Sequence, residues 1–130
     1  MNGLKIMCMR VEHLIFLDSV SFLPFGLRRL SEAFWLTVAK SWYPHYFNAR
    51  ANLDYVVKIP DIASERNEFL SWYEGQKDEE FDNKRFLEAY YQDDVRVLRE
   101  ACRVLRREFI QIGNIDVFLE SVTIASACKR

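Results

Sequence analysis

The apolar residues at the start of the chain are spaced as in β-strands. Residues 4–11 (LKIMCMRV) alternate roughly between apolar and polar positions, and residues 14–23 (LIFLDSVSFL) begin with a continuous apolar run. This pattern predicts two strands joined by a tight turn at Glu12 and His13. Because a strand covered on both faces has a continuous apolar run, we expect the second strand to lie deeper in a sheet. Two strands alone are marginal in water, so further sheet partners are expected, with Met1 inside a domain.

The middle of the chain is predicted to be a helix, a long loop and a second helix. Residues 24–36 space their apolar side chains as one face of a helix. Residues 37–63 contain aromatics and prolines without any period, which predicts a long loop with a short extended piece at residues 54–59. Ser64 can then cap a helix that continues to about residue 76.

The longest helix is predicted in the second half of the chain. Asp82 can cap its N-terminus, and the apolar spacing runs from residue 83 to about residue 110. Gly113 and Asn114 are expected to stop it, because both residue types tolerate the left-handed conformation that ends many helices. Residues 115–130 are apolar again and are predicted to be helical.

A carboxylate lies in the apolar face of this long helix. At about 100° per residue, six apolar or aromatic side chains fall within about 60° of Asp94: Leu87, Tyr90, Tyr91, Leu98, Ala101 and Leu105. An ionised carboxylate at such a position is costly unless an arginine, tyrosine or backbone amide satisfies it, or unless it binds a cation. Tyr90 precedes Asp94 by one turn, so a hydroxyl and a carboxylate can point at one spot. That pairing suits the positioning of a water molecule beside a divalent ion.

An arginine stripe covers the opposite face of the same helix. Five arginines lie roughly 120° to 180° from Asp94 on the helical wheel: Arg96, Arg99, Arg103, Arg106 and Arg107. A solvated outer face is the favoured interpretation over a nucleic-acid surface, because the stripe points away from Asp94.

The composition fits one globular unit, or a piece of a larger one. Of the 130 residues, 50% are apolar, and 18 basic residues nearly balance 19 acidic ones, so net charge does not indicate a polyanion-binding protein. The three scattered cysteines are expected to be reduced thiols of an intracellular protein. The two histidines are too isolated for a zinc site, and no apolar run is long enough to cross a membrane.

Several stretches, in order, carry a resemblance to a known family. YYQDDVRVLREAC (residues 90–102) has the Tyr-x-x-x-Asp spacing at the start of an apolar helix, and FLDSVSFLPFGLRRLSEAFWLTVAK (residues 16–40) has a strand, a helix and then a lysine. With KSWYPHYFN, EFLSWYEGQKDEEFD and VFLESVTIASAC, these stretches span nearly the whole chain. The chain resembles the proofreading 3′–5′ exonuclease domain of protein-primed family B DNA polymerases. Such enzymes occur in bacteriophages, organellar plasmids and self-synthesising DNA transposons, and the last three stretches are most similar to the transposon branch.

The resemblance implies a mixed α/β fold. It would be a fragment of a ribonuclease-H-like exonuclease domain, with a short β-hairpin followed mainly by helices. Residues 1–112 would form the C-terminal part of the exonuclease domain, and residues 113–130 would begin the polymerase region that follows. Nuclear or organellar localisation would follow from the family.

The resemblance also assigns roles to individual residues. Asp94 would be a catalytic carboxylate and a ligand of Mg²⁺, Tyr90 would orient the attacking water, and Lys40 would contact the region of the scissile phosphate. Ser19 would help to grip the single-stranded 3′ end of DNA, together with Val20, where the family usually has leucine. Each has a simpler interpretation: Lys40 as a solvated charge, Ser19 as a turn residue and Tyr90 as packing.

The implied metal site is incomplete within this sequence. Hydrolysis of a phosphodiester by two magnesium ions needs several carboxylates, and the family draws the others from segments expected upstream of Met1. The polymerase palm, which would bind deoxynucleotides, is expected after Arg130. We therefore expect a part of a DNA-directed DNA polymerase that alone neither degrades nor synthesises DNA. The alternative is a non-enzymatic helical interaction module domesticated from a mobile element.

Overall fold

Short strands and helices precede one long helix in this chain. The computed structural model describes residues 6–45, 48–54, 56–57, 71–72, 74–75, 78 and 80–129. The chain divides into two compact units, of which the first comprises Met1–Thr37 and Val97–Arg130 and the second comprises Val38–Arg96. None of the helices in the described part of the chain has the length and apolar character needed to cross a bilayer.

The first unit begins with a β-hairpin. Strand β1 (Cys8–Val11) pairs antiparallel with β2 (Leu14–Leu17), so that Val11 lies opposite Leu14. The predicted turn at Glu12 and His13 is confirmed, and Glu12 adopts a left-handed φ of 52° there. The hairpin is closed further by a hydrogen bond from the Asp18 N–H to the Met7 carbonyl, at 3.2 Å.

The expectation that β2 is covered on both faces is wrong for the described residues. Leu14 and Phe16 are 51% and 50% exposed. The sheet in this part of the chain has two strands, so no further strand shields the face that carries these side chains. The second strand is also shorter than predicted, because Asp18 accepts a hydrogen bond from the Val20 N–H at 3.0 Å and turns the chain into a 3₁₀ helix at Ser19–Ser21.

Besides part of the long helix, the described part of the first unit has three short α-helices, each of which buries one side chain. Helix α1 (Leu27–Ala33) lies within the predicted segment and buries Leu30. The last predicted helix is split by the structure into two short ones, α3 (Val117–Glu120) and α4 (Ile124–Ala127). A capping box between Thr123 and Ser126 begins the second of them.

The long helix α2 runs from Asn83 to Gly113, 31 residues. Its predicted start is confirmed, because the Arg85 N–H donates to the Asp82 carboxylate at 3.1 Å. Its predicted end is confirmed too. Asn114 adopts φ 53°, its N–H donates to the Ile110 carbonyl at 3.0 Å, and the Ile115 N–H donates to the Phe109 carbonyl at 3.4 Å, so a left-handed cap closes the helix.

The second unit fastens an irregular segment to the start of α2. The buried Tyr43 hydroxyl donates to Asn83 Oδ1 at 2.6 Å, and Asn83 Nδ2 donates to the Asn52 carbonyl at 2.7 Å. The predicted extended piece is confirmed at β3 (Val56–Val57), which pairs antiparallel with β4 (Phe81–Asp82). The predicted loop is therefore held by buried hydrogen bonds and a short strand pair.

The helix predicted to start at Ser64 lies mostly outside the described residues. Four described residues near its C-terminal end have helical backbone: Ser71, Trp72, Glu74 and Gly75. The mixed fold, with a short hairpin followed mainly by helices, is confirmed. The ribonuclease-H-like arrangement and the boundary after residue 112 stay predictions.

Candidate functional site

Three of the predicted site residues meet beside α2. The Lys40 ammonium lies 2.9 and 3.0 Å from the two carboxylate oxygens of Asp94 and also donates a hydrogen bond to the Tyr90 hydroxyl. The same ammonium lies 4.4 Å from the centre of the Tyr90 ring. The structure therefore brings together a lysine and a Tyr-x-x-x-Asp pair that are 50 or more residues apart in sequence.

Local structure explains why these side chains converge. Tyr90 and Asp94 are one helical turn apart on α2 and therefore point the same way. Lys40 comes from the irregular segment, which the buried Tyr43 attaches to the helix start through Asn83. The Tyr43 ring also packs against the Tyr90 ring, with centroids 5.5 Å apart. Lys40, three residues before Tyr43, is thereby held beside Tyr90 and Asp94 on α2.

The Lys40–Asp94 pair is mostly shielded from solvent. The two side chains are 20% and 21% exposed, so water and salt weaken their attraction less than at an open surface. Burial by itself would lower the pKa of Lys40, but the hydrogen bonds to Tyr90 and Asp94 outweigh it, and the pKa is raised. Lys40 therefore stays charged throughout the physiological range.

The position of Asp94 on the helix differs from the prediction. The most deeply buried side chains on that face belong to Asn83, Tyr90, Val97 and Ala101, whose mean direction lies about 35° from Asp94 on the helical wheel. Asp94 thus lies at the edge of the buried face. Tyr91, on the other side of Asp94, is 52% exposed and not buried as expected. The group that satisfies the carboxylate is the Lys40 ammonium, and not the expected arginine, tyrosine or backbone amide.

His45 joins the cluster and was not assigned a role from the sequence. Its Nε2 lies 3.3 Å from the Tyr90 hydroxyl, and its ring meets the Tyr90 ring edge-on at 5.2 Å between centroids. The histidine was visible within the family-like stretch KSWYPHYFN. Its contact depends on the path of an aperiodic segment, which helical or strand spacing does not reveal.

Ser19 and Val20 lie in the 3₁₀ turn of the first unit. Val20 has an exposed side chain, and Ser19 is half-buried. Asp18 fixes this turn, because its carboxylate accepts a hydrogen bond from the Val20 N–H. The three-residue cluster of Lys40, Tyr90 and Asp94 belongs to the second unit.

The arginine stripe is a solvated face, as interpreted from the sequence. All five arginines are exposed. Several are paired with carboxylates: Arg96 with Asp93 at 3.6 Å, Arg103 with Glu100 at 3.4 Å and Arg106 with Asp116 at 2.9 Å. These pairs neutralise much of the positive charge of the stripe.

A magnesium site does not fit the described residues by themselves. Within the part of the chain that the structure describes, no three His, Cys, Asp or Glu side chains cluster closely enough to hold one ion. Both oxygens of Asp94 face the Lys40 ammonium, and neighbouring Asp93 pairs with Arg96. Asp94 could supply one ligand, but a divalent ion held in place by protein needs more.

A comparison with known protein families identifies the family of the chain. Residues 3–128 match the family of DNA polymerase type B, organellar and viral. The chain therefore belongs to the organellar and viral type B DNA polymerases. Neither a curated protein nor a solved structure matches the chain.

Proposed function

We propose that this chain contributes part of the 3′–5′ proofreading exonuclease site of a type B DNA polymerase and binds the single-stranded 3′ end of DNA. The observation that carries the proposal is the convergence of Lys40, Tyr90 and Asp94 from distant parts of the sequence. A lysine and a Tyr-x-x-x-Asp pair are the residues that the resemblance to the exonuclease domain singles out. Membership of the polymerase family supports DNA as the partner.

Each side chain of the cluster has a role that its chemistry permits. The Lys40 ammonium is charged and is held beside Asp94 and Tyr90, so it can attract a phosphate oxygen placed next to it. The Tyr90 hydroxyl can hold and orient a water molecule next to that phosphate. The Asp94 carboxylate keeps Lys40 in position and is a candidate metal ligand. Ser19 and Val20 would contact the 3′ nucleotide with a hydroxyl and an exposed apolar side chain.

In this proposal Asp94 would be one of the ligands of magnesium. A pair of divalent ions would supply activation of the attacking water and charge neutralisation at the phosphate. At this cluster the described residues provide one suitable carboxylate, and no group of three potential metal ligands occurs among the residues that the structure describes. The resemblance to the exonuclease domain leads us to expect that the 130-residue chain by itself binds DNA without hydrolysing it.

Binding of a single-stranded oligonucleotide tests the proposal. We expect the purified chain to bind a fluorescently labelled single-stranded oligonucleotide, measured by anisotropy with and without magnesium. Lys40→Ala and Asp94→Ala should each weaken the binding, because the first removes the ammonium and the second removes the carboxylate that holds it in place. Lys84→Ala and Asp93→Ala are matched controls, because Lys84 is exposed on the first turn of α2 and Asp93 is the neighbour of Asp94. Unchanged binding in both site variants would remove the site assignment.

A second candidate function is a non-enzymatic interaction module. One observation favours it, namely the exposed apolar face of the hairpin, which includes Met9, Val11, Leu14 and Phe16. Exposed apolar patches often mark surfaces that bind other proteins. The DNA that flanks the coding sequence separates the two candidates. An Asp-x-Glu motif encoded upstream and palm motifs encoded downstream would favour the polymerase.

A further inference from the structure

The Tyr90 hydroxyl lies between two nitrogen atoms of different character. Lys40 Nζ donates a hydrogen bond to this hydroxyl oxygen, and His45 Nε2 lies 3.3 Å from the same oxygen. An ammonium has three hydrogens to donate and no lone pair, whereas an imidazole nitrogen can donate or accept, depending on its tautomer. The direction of each hydrogen bond at this hydroxyl can therefore be worked out.

Lys40 must donate to the phenol oxygen, so the hydrogen of the Tyr90 hydroxyl needs an acceptor of its own. Within the described part of the chain, the acceptor that lies within reach of this hydroxyl is His45 Nε2. Neutral imidazole with its hydrogen on Nδ1 leaves Nε2 free to accept. The distance of 3.3 Å is at the long end for such a bond.

The geometry points to His45 as a positioning residue that takes up the hydrogen of the Tyr90 hydroxyl. With its own hydrogen directed at His45, the phenol oxygen acts as an acceptor towards its other neighbours, one of which is Lys40. The consequence of this hydrogen bond for catalysis rests on the proposed function. A water molecule that donates to the same oxygen turns its own lone pair outward, and a water so oriented is ready to attack a phosphate placed beside Lys40.

The backbone around His45 is held firmly enough for such a role. Tyr43 and Pro44, the two residues before it, are buried, and Tyr43 also donates a hydrogen bond to Asn83. The Asn48 N–H donates to the His45 carbonyl at 3.1 Å. The His45 ring meets the Tyr43 ring edge-on, with centroids 5.9 Å apart. The imidazole is therefore placed by its neighbours, although it remains exposed to solvent.

Two variants of His45 separate its hydrogen bond from its packing. His45→Phe retains an aromatic ring against Tyr43 and Tyr90 but has no nitrogen. His45→Gln loses the ring but offers a carbonyl oxygen near the position of Nε2. His13→Phe is the matched control, because His13 lies in the exposed turn of the hairpin. Circular dichroism spectra of all three variants should match that of the original chain.

Nuclear magnetic resonance of the whole chain gives the deciding measurement. With ¹³C at the ζ carbon of tyrosine and ¹⁵N in the histidine rings, we expect His45 Nε2 to give the signal of an unprotonated ring nitrogen. The Tyr90 ζ-carbon signal should shift in His45→Phe, return towards its original position in His45→Gln and stay unchanged in His13→Phe. A protonated Nε2 with an unprotonated Nδ1 would overturn the inference. A Tyr90 signal that is unchanged in His45→Phe would overturn it as well.

The same sample distinguishes this inference from the proposed function. The signals of His45 and Tyr90 are measured without DNA, so they test the hydrogen bond between these residues independently of DNA binding. If Tyr90 responds to His45→Phe while Lys40→Ala and Asp94→Ala leave oligonucleotide binding unchanged, the hydrogen bond exists and the exonuclease proposal fails. If Tyr90 does not respond, the positioning role of His45 is refuted even where DNA binds.

Discussion

The ammonium of Lys40 lies 2.9 and 3.0 Å from the two carboxylate oxygens of Asp94, across 54 residues of sequence. This ion pair attaches an aperiodic segment to the long helix at the edge of its buried face, in addition to the hydrogen bond between Tyr43 and Asn83. The same pair carries the proposal for DNA binding, since it holds a cation beside the Tyr90 hydroxyl. Its contribution to folding can be measured separately from any activity.

Removing the carboxylate of Asp94 should destabilise the chain. Asp94→Ala leaves the shielded Lys40 ammonium without its ionic partner, which we expect to lower the free energy of unfolding by about 1 kcal/mol, allowing for partial screening by solvent. Asp93→Ala is the control, because the Asp93–Arg96 pair has a more exposed arginine and a longer distance of 3.6 Å. It should cost less than about 0.5 kcal/mol. Urea denaturation followed by circular dichroism measures both, and equal costs would contradict the prediction.

The contribution of Lys40 to the stability of the fold should depend on pH in the alkaline range. Burial lowers the pKa of Lys40, but the hydrogen bonds to Tyr90 and Asp94 raise it by a larger amount. The pKa of Lys40 therefore lies above its ordinary value of 10.5 in the folded chain. A group whose pKa is raised by folding stabilises the fold below its unfolded pKa, and this stabilisation is lost as the pH rises through the folded pKa. The stability difference between the original chain and Lys40→Met should therefore be constant from pH 7 to 9 and shrink above about pH 10.5. A difference that grows with pH would contradict the assigned sign.

The buried hydrogen bonds of Asn83 should matter more for stability than those at the surface. Asn83→Ala removes the hydrogen bonds that join Asn83 to the Tyr43 hydroxyl and to the Asn52 carbonyl, and we expect a loss of about 2–4 kcal/mol, because two hydrogen bonds are lost and the buried Tyr43 hydroxyl no longer has this acceptor. Tyr43→Phe removes a single hydrogen bond and should cost about 1–2 kcal/mol. Asn48→Ala, at an exposed position, should change stability by less than about 0.5 kcal/mol. Denaturation midpoints that are alike for Asn83→Ala and Asn48→Ala would refute the importance of this network.

The sequence predicts the parts of this structure that depend on neighbouring residues. The start of α2 follows from Asp82 and its end from Asn114, because caps act within one turn. The turn between β1 and β2 follows from Glu12 and His13, where two polar residues interrupt apolar ones. Such features need no knowledge of the rest of the fold.

Features that depend on distant neighbours were harder to predict. Whether Leu14 is buried depends on what covers the hairpin, and the apolar run gives no information on that. Lys40 was placed at the site by its resemblance to a family pattern, and no spacing rule links it to Asp94. His45 had no assigned role for the same reason, since it reaches Tyr90 from an aperiodic segment.

The thiol of Cys102 should react more slowly than that of Cys128. Burial raises the pKa of the Cys102 thiol, so a smaller fraction is thiolate at pH 8, and the thiolate is the reactive form. Cys128 is exposed. Variants that retain one of the two cysteines, with serine at the other cysteine positions, would be treated with iodoacetamide and followed by mass spectrometry. Equal rates for the folded variants would contradict the prediction, whereas equal rates in urea are expected.

The left-handed cap at Asn114 should tolerate glycine but not alanine. Asn114 adopts φ 53°, a conformation that costs a residue with a Cβ roughly 1–2 kcal/mol and that asparagine and glycine adopt more readily. Asn114→Ala should therefore lower the free energy of unfolding by about 1 kcal/mol, while Asn114→Gly should leave it unchanged or slightly raised. Gln111→Ala, at an exposed position inside the helix, controls for changes in helix propensity. If alanine at position 114 proved as stable as glycine there, the helix would end by another route than the bond from the Asn114 N–H to the Ile110 carbonyl.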